Sequence, residues 1–355
     1  MHSDYSKSKS DQKANILLIY TGGTIGMKQD PETLALVPFN FEEILAEVPE
    51  LKKIVHTIDT HSFDPPVDSS DIEPYRWKEI AEVIYEKYDN YDGFVILHGT
   101  DTMSYSASAL GFMMENLEKP VIFTGSQLPV GMLRTDGKEN LISAIEIAAA
   151  RDSLGRAIVP EVCIYFGSQL FRGNRTTKDN AENFNAFRSP NYPPLAEAGI
   201  HIRYNQHYIN YPSQWGKKLH IKTSTCDRVA VMRLFPGITP EVVKGITGIP
   251  GLRALVLETY GSGNATTRKW FLDILEEVVQ NGLIILNVSQ CPAGKVDMEA
   301  YATGIQLKEM GVISGYDSTL EAAVTKLFFL LGHHSENNTI KELLNKNLKG
   351  EISIN

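Results

Sequence analysis

The sequence predicts an α/β protein, and three observations carry that reading. Strand-length apolar runs alternate with helix-length amphipathic windows, glycine-rich loops close several of the runs, and a weakly patterned stretch divides two such series. In the first series, strand-like runs at 16 to 20, 93 to 97, 121 to 123 and 161 to 166 are separated by helical windows at 74 to 88, 104 to 115 and 138 to 149. Pro74 suits the first turn of its helix, where a missing N–H is no loss. Strands alternating with helices imply a parallel sheet covered on both faces. The expectation is therefore a larger N-terminal domain over 14–203 with a doubly wound, mostly parallel sheet.

Residues 204–227 hold Asn, Gln, Pro, Ser and Thr with little periodic apolar signal, and are read as a linker. Beyond them, strands at 229 to 233, 254 to 258 and 283 to 288 alternate with helices at 269 to 280, 300 to 310 and 320 to 331. This predicts a smaller, flavodoxin-like α/β domain over 228–355. Residues 1–13 are rich in Ser and Lys with nothing to bury, and read as a disordered tail. No repeat of fixed period is present.

Composition narrows the function. With 355 residues, 43% hydrophobic and 22% charged, the chain has the balance of a globular protein large enough for two cores. A formal charge of -9 argues against a general grip on nucleic acid, which needs clustered Lys and Arg, but leaves small substrates open. No apolar run reaches the roughly 18 to 20 residues of a membrane span, and the start lacks a signal peptide's apolar middle. A cytoplasmic protein is expected. Cys163, Cys226 and Cys291 are widely spaced without CxxC, and the nine histidines show no HxH or HxxxH pairing, so neither metal nor cofactor is expected. Cys163 lies in an apolar run and reads as core; Cys291 has no histidine nearby in sequence to activate it.

The chemistry gathers at strand ends. Thr21-Gly-Gly-Thr24 follows the first apolar run, His98-Gly-Thr-Asp-Thr102 the second, and Thr124-Gly-Ser-Gln127 the third. In an open parallel sheet these ends share one edge, so their loops would converge on one crevice. A threonine after a glycine turn is by default a helix cap, and Asp101 by default a cap for the helix that follows. The sharper reading joins Thr24 and Thr100 to an acid and to the loop Arg172-Gly-Asn-Arg-Thr-Thr-Lys178. Solvation is the usual fate of such a charged loop. If Lys178 instead points inward, it supplies a base for a hydroxyl nucleophile. A free lysine has a pKa of about 10.4, so a neutral amine near pH 7 costs roughly 4 to 5 kcal/mol unless burial or nearby cations reduce it. Asp68-Ser-Ser-Asp71 offers hydroxyls and N–H groups of a size to hold a carboxylate, although such a turn also simply precedes helices. Hydroxyls, an acid, a basic loop and no metal cluster together suggest hydrolysis through a covalent acyl intermediate.

Thr21 to Met27 (TGGTIGM), Asp68 to Asp71 (DSSD), His98 to Met103 (HGTDTM), Thr124 to Gln127 (TGSQ), Arg172 to Lys178 (RGNRTTK) and Tyr301 to Gly304 (YATG) resemble the bacterial-type L-asparaginases, in particular their cytoplasmic type I branch. The likeness runs over about residues 14 to 350 with the motifs in order. It implies that Thr24 attacks the side-chain amide of L-asparagine, releasing ammonia and leaving a β-aspartyl ester. Thr100, Asp101 and Lys178 would form the proton relay, with Lys178 as base. Asp68, Ser69, Ser70 and Asp101 would hold the α-amino and α-carboxylate ends, with Gly23 and Ser126 also in the substrate site. N–H groups around Gly23 and Thr100 would face the oxyanion. The resemblance further implies self-association to a homodimer or homotetramer, with Ser262 or Tyr301 contributing across an interface. One departure stands out: some members carry a tyrosine in the loop after the first motif, and residues 25 to 40 contain none. That loop, 27 to 39, reads as a flexible lid.

Three rivals remain at this stage. Glutaminase activity differs by one methylene of substrate, and the same scaffold serves as the ammonia-producing subunit of a tRNA-dependent amidotransferase, whose extra N-terminal domain and basic surface are not expected here. A non-catalytic nucleotide-binding regulatory protein would use Gly22-Gly23 for phosphate, but there is no GxGxxG and no GxxxxGK[ST].

Overall fold

A computed structural model describes residues 13–29, 36–38, 48–54, 56–300 and 302–354. The expected tail at 1–13 therefore lies almost wholly outside the described residues, as do most of the expected lid and Tyr301. The chain divides into two compact units, one made of residues 1–189 and 193–222, the other of 190–192 and 223–355.

In the first unit the chain opens with β1 (Asn15–Tyr20), a short antiparallel pair β2 (Met27–Gln29) and β3 (Leu36–Pro38), then β4 (Thr57–Ser62). Helix α1 (Pro74–Lys87) starts with its proline in the first turn and buries Trp77, Ile80, Ala81 and Ile84, a stripe of helical spacing. Strand β5 (Gly93–Leu97), helix α2 (Met103–Met113), the short β6 (Met114–Glu115), β7 (Val121–Thr124), helix α3 (Gly137–Ala149) and β8 (Val162–Phe166) complete the alternation. The periodicity located β1, β5, β7, β8 and the three helices to within a few residues, but not β4, β6 or the β2–β3 pair, which falls in the stretch read as a lid.

Strands β4, β1, β5, β7 and β8 lie side by side and run parallel. Their interior members β1, β5, β7 and β8 are buried almost without a break, as strands covered on both faces must be. The sheet then continues antiparallel through β9 (Gln169–Arg172), β12 (Ala196–Ala198) and β13 (Ile202–Tyr204). Between β9 and β12 a hairpin of β10 (Thr177–Lys178) and β11 (Phe187–Arg188) leaves the sheet. The chain runs from β1 outward to β4 on one side and returns to β5 on the other. The strand order thus reverses between β1 and β5, where such sheets open a crevice at their carboxyl edge.

The stretch read as a linker, 204–227, holds the last residue of β13, a 3-10 turn (Gln206–Tyr208) and one short strand. Arg203 and Tyr204 belong to the sheet edge, β14 (His220–Ile221) pairs with β6, and Lys222 bonds Glu115 at 2.8 Å. Apolar periodicity cannot signal such short, half-exposed strands.

The second unit carries β15 (Val229–Arg233), β16 (Ala254–Thr259), β17 (Ile284–Ser289) and β18 (Ile313–Ser314) as a parallel sheet in simple sequential order. Helices α4 (Pro240–Thr247), α5 (Lys269–Gln280), α6 (Ala302–Glu309), α7 (Leu320–His333) and α8 (Asn337–Leu344) accompany it. Its core includes Val243, Leu255, Phe271, Leu275, Ile285 and Leu307. Both units are α/β, as the sequence predicts. Among the described residues no helix is long and apolar enough to cross a membrane.

Candidate active site

The strand ends do converge, but their hydroxyls divide into two kinds. Thr21 is spent on the sheet: its N–H and its Oγ1 both donate to the Leu97 carbonyl, at 3.0 and 2.9 Å, tying the end of β1 to the end of β5. Thr124 Oγ1 donates to Tyr165 O at 2.8 Å and likewise holds neighbouring strands. Thr24 and Thr100, by contrast, stand beyond the strands and are only half-buried.

Thr24 opens a single 3-10 turn, Thr24–Gly26, whose cap is Gly23 with φ of 91°. The capping position thus has no side chain, and the default reading of Thr24 as a cap does not hold. A Cβ on Gly23 would sit 2.5 Å from the backbone N and Cα of Gly99, so this glycine lets the loop after β1 lie against the loop after β5. Gly99 in turn packs on Ser69, and Thr102 Oγ1 donates to Ser69 O at 2.7 Å. Three loops, at 21–24, 67–70 and 98–102, form one block.

Asp101 does not cap α2 either. Its Oδ1 accepts from Lys178 Nζ at 2.7 Å, and the same ammonium donates to Thr100 Oγ1 at 2.8 Å. Lys178 reaches this position from the β10–β11 hairpin, where it pairs with Phe187. The loop before it is not solvated: Arg172, Asn174, Arg175 and Thr176 are all buried. Arg172 forms a paired ion contact with Glu161, Nε to Oε2 at 2.6 Å and Nη2 to Oε1 at 3.2 Å, and also donates to Tyr208 O. That buried pair fixes the root of the Lys178 hairpin. Lys178 itself is 19% exposed and Asp101 is 63% exposed.

In the Asp68 turn the capping geometry is the one observed. Asp68 Oδ1 accepts from Ser70 N at 2.9 Å and Ser70 Oγ at 2.8 Å, and these bonds hold its carboxyl below the usual carboxylate range. Ser69 is buried and Ser70 exposed. Ser126 is buried, and its hydroxyl has no hydrogen-bond partner among the described residues. Ser262 belongs to the second unit, in the turn after β16, where its carbonyl accepts from Asp297 N.

Sequence reasoning missed the supports. His98 is buried, and burial pushes its pKa down to about 4, so the ring is neutral. Its Nδ1 lies 2.7 Å from Gly99 O, an acceptor, so Nδ1 carries the proton and Nε2 accepts from Ser106 Oγ at 2.9 Å. Trp77 Nε1 donates to Ser106 Oγ at 3.0 Å and completes the chain. Asp136 does similar service for the 124–127 loop, accepting from Gln127 N and Leu128 N, while Asn140 donates to Gly125 O. Only His98 had a signal, its place inside the HGTDT run; the others lie far off in sequence. Among the described residues no group of His, Cys, Asp or Glu stands together that would hold a metal ion.

Fold and site together define an α/β protein with hydroxyl, amine and carboxylate gathered where the strand order of a parallel sheet reverses. Comparison with known proteins gives that description a family. The model of the domain described as "Asparaginase, N-terminal" matches residues 15–210, and that of the "Glutaminase/Asparaginase C-terminal domain" matches residues 228–344. The chain belongs to the asparaginase family. It is 45% identical to L-asparaginase 1 of Escherichia coli strain K12 over 96% of this chain and 99% of that one. It is 40% identical to the 60 kDa lysophospholipase of Mus musculus, over 96% of this chain but 62% of the mouse protein. Among solved structures, L-asparaginase I from Vibrio cholerae superposes with a TM-score of 0.87 at 41% identity, covering 96% of this chain and all of that one.

Proposed function

We propose that this protein is an L-asparaginase that hydrolyses L-asparagine to L-aspartate and ammonia through an ester on Thr24. One observation carries the reading: the Lys178 ammonium is bonded at once to the Thr100 hydroxyl and the Asp101 carboxylate, in the block of loops that presents Thr24. Thr24 Oγ attacks the side-chain carbonyl carbon, its proton passing through Thr100 to Lys178. The tetrahedral adduct collapses, the C–N bond breaks, and the proton goes to the leaving nitrogen. Water, deprotonated along the same route, then cleaves the ester and restores the threonine.

Lys178 must release a proton before it takes one. In the free enzyme Asp101 holds the ammonium in place. When the substrate's α-ammonium settles on the same carboxylate, a second cation weakens that hold, and Nζ gives one proton to bulk water before it receives the Thr24 proton. Asp68, whose Oδ1 takes both Ser70 bonds, keeps Oδ2 for the substrate amine, while Ser69 and Ser70 lie beside the α-carboxylate. Gly23, Thr100 and Ser126 line the reacting amide. A cytoplasmic location, homodimers or homotetramers, and a contribution of Ser262 or Tyr301 from a neighbouring subunit belong to the same proposal.

The test is ammonia release from asparagine by the full chain and by Thr24→Ala. The variant loses about 10³-fold or more in kcat while still binding asparagine in calorimetry. Near-normal turnover in the variant removes Thr24 as nucleophile. Glutamine, longer by one methylene that a pocket separates by about 1–3 kcal/mol, is run alongside to assign the preference.

A further inference from the structure

Tyr20 is the last residue of β1, a strand buried on both faces, and is itself 2% exposed. A phenol placed there must find a partner for its hydroxyl. It does so in the turn that carries Thr24: Tyr20 Oη donates to the Gly26 carbonyl at 3.2 Å. Burial pushes its pKa up to about 12, so the hydroxyl stays protonated and remains a donor. Gly26 is shaped to this neighbour, because a Cβ there would overlap the Tyr20 ring and hydroxyl.

The turn itself is slight. Gly26 N donates to Gly23 O at 3.1 Å, and Met27 N donates to Thr24 O. Its leading end is wedged by Gly23 against Gly99. Its trailing end is bolted by Tyr20, and Thr24 stands between.

We propose that Tyr20 is a positioning residue for the reaction, its hydroxyl fixing through the Gly26 carbonyl the turn that presents the Thr24 nucleophile. The inference rests on the reading of Thr24 given above. It assigns a role to a tyrosine beneath the turn, on the sheet side. Attack geometry is sensitive enough to shifts of about 1 Å for such a tether to be read in the rate.

The experiment compares full-length wild type with Tyr20→Phe, Gly26→Ala and the double variant Tyr20→Ala Gly26→Ala, each checked for folding by circular dichroism. Tyr20→Phe keeps the ring, and lowers kcat about three- to tenfold with KM within about twofold. The pH profile of kcat/KM keeps its shape, since the phenol does not titrate in the working range. Gly26→Ala drives a methyl into the ring and loses more than Tyr20→Phe. The double variant, which empties the space the methyl needs, recovers activity over Gly26→Ala; two merely destabilising changes would instead add their losses. Unchanged kcat in folded Tyr20→Phe overturns the inference, as does a double variant no better than Gly26→Ala. A displaced pH profile in Tyr20→Phe overturns it too, by making the phenol a proton carrier. The two readings fail separately: a turning-over Thr24→Ala sinks the nucleophile, whereas an inert Thr24→Ala beside a fully active Tyr20→Phe sinks only the tether.

Discussion

Two lysine–carboxylate pairs in this protein are almost the same length and have opposite character. In the first unit Lys178 meets Asp101 at 2.7 Å with side chains 19% and 63% exposed; in the second, Lys326 meets Glu351 at 2.6 Å with side chains 4% and 0% exposed. Both members of the second pair have further backbone partners. Lys326 also donates to the carbonyls of Leu344 and Lys346, and Glu351 accepts from the N–H groups of Leu348 and Lys349. The pair staples the residues after α8 to α7. The first pair keeps acceptor capacity on Asp101 and a hydroxyl, Thr100, in the same contact. A charge pair sealed on all sides holds structure, and one left open to an incoming amine is available for chemistry.

Exchanging the two fates is the sharpest way to break this comparison. Lys178→Met is expected to lower kcat about 10²- to 10⁴-fold near pH 7, as loss of a proton-transferring group does, with little change in melting temperature. A variant that keeps its rate shows that another base serves Thr24. Glu351→Gln is expected to do the reverse. Leaving Lys326 buried without its counter-ion costs about 3–5 kcal/mol of stability, read by urea unfolding, with kcat at 25 °C unchanged. Adding Lys326→Met to that variant should return much of the loss; failure to do so means the pair is not what holds the segment.

The contrast extends to pH. Sealed His98 titrates at about 4 when folded, against about 6.5 in an unfolded chain. Between those values the unfolded chain binds a proton that the folded one refuses. Stability therefore falls as pH drops from about 6.5 to about 4, by up to about 3 kcal/mol, and levels off below. In His98→Gln that slope should vanish; an unaltered slope in the variant assigns it elsewhere. The smallest effect concerns Asp68, which is exposed. Ser70→Ala removes one of its two bonds and should raise its titration midpoint toward the ordinary range in carboxyl NMR, leaving stability nearly untouched.

How much of this was legible in the sequence depends on range. Buried parallel strands announce themselves as apolar runs, which is why β1, β5, β7, β16 and β17 were found near their true bounds. Strand β4, Thr-Ile-Asp-Thr-His-Ser, has one apolar side chain and lies at the sheet edge, so no run marks it. Helix α4 is only eight residues long and fully buries only Val243, so its short apolar stripe is easily missed. In the site, residue types and glycine turns could be read directly, and so could the order of the motifs. Which of the two readings of each turn applied could not, because that depends on contacts such as Lys178 with Asp101, 77 residues apart. Asp101 went to the lysine and Asp68 to its own turn, although both sit in equally cap-like sequence.

The close stacking of the loops at 21–24, 67–70 and 98–102 has a practical bearing on redesign. Gly22 and Gly23 bring backbone against backbone there, at Val67 and Gly99, and the Ser69 side chain fills the remaining contact with Gly99. A pocket for a bulkier amide would have to be carved from the surrounding rim, such as the 178–188 hairpin, while the stacked loops serve as an anvil that stays put.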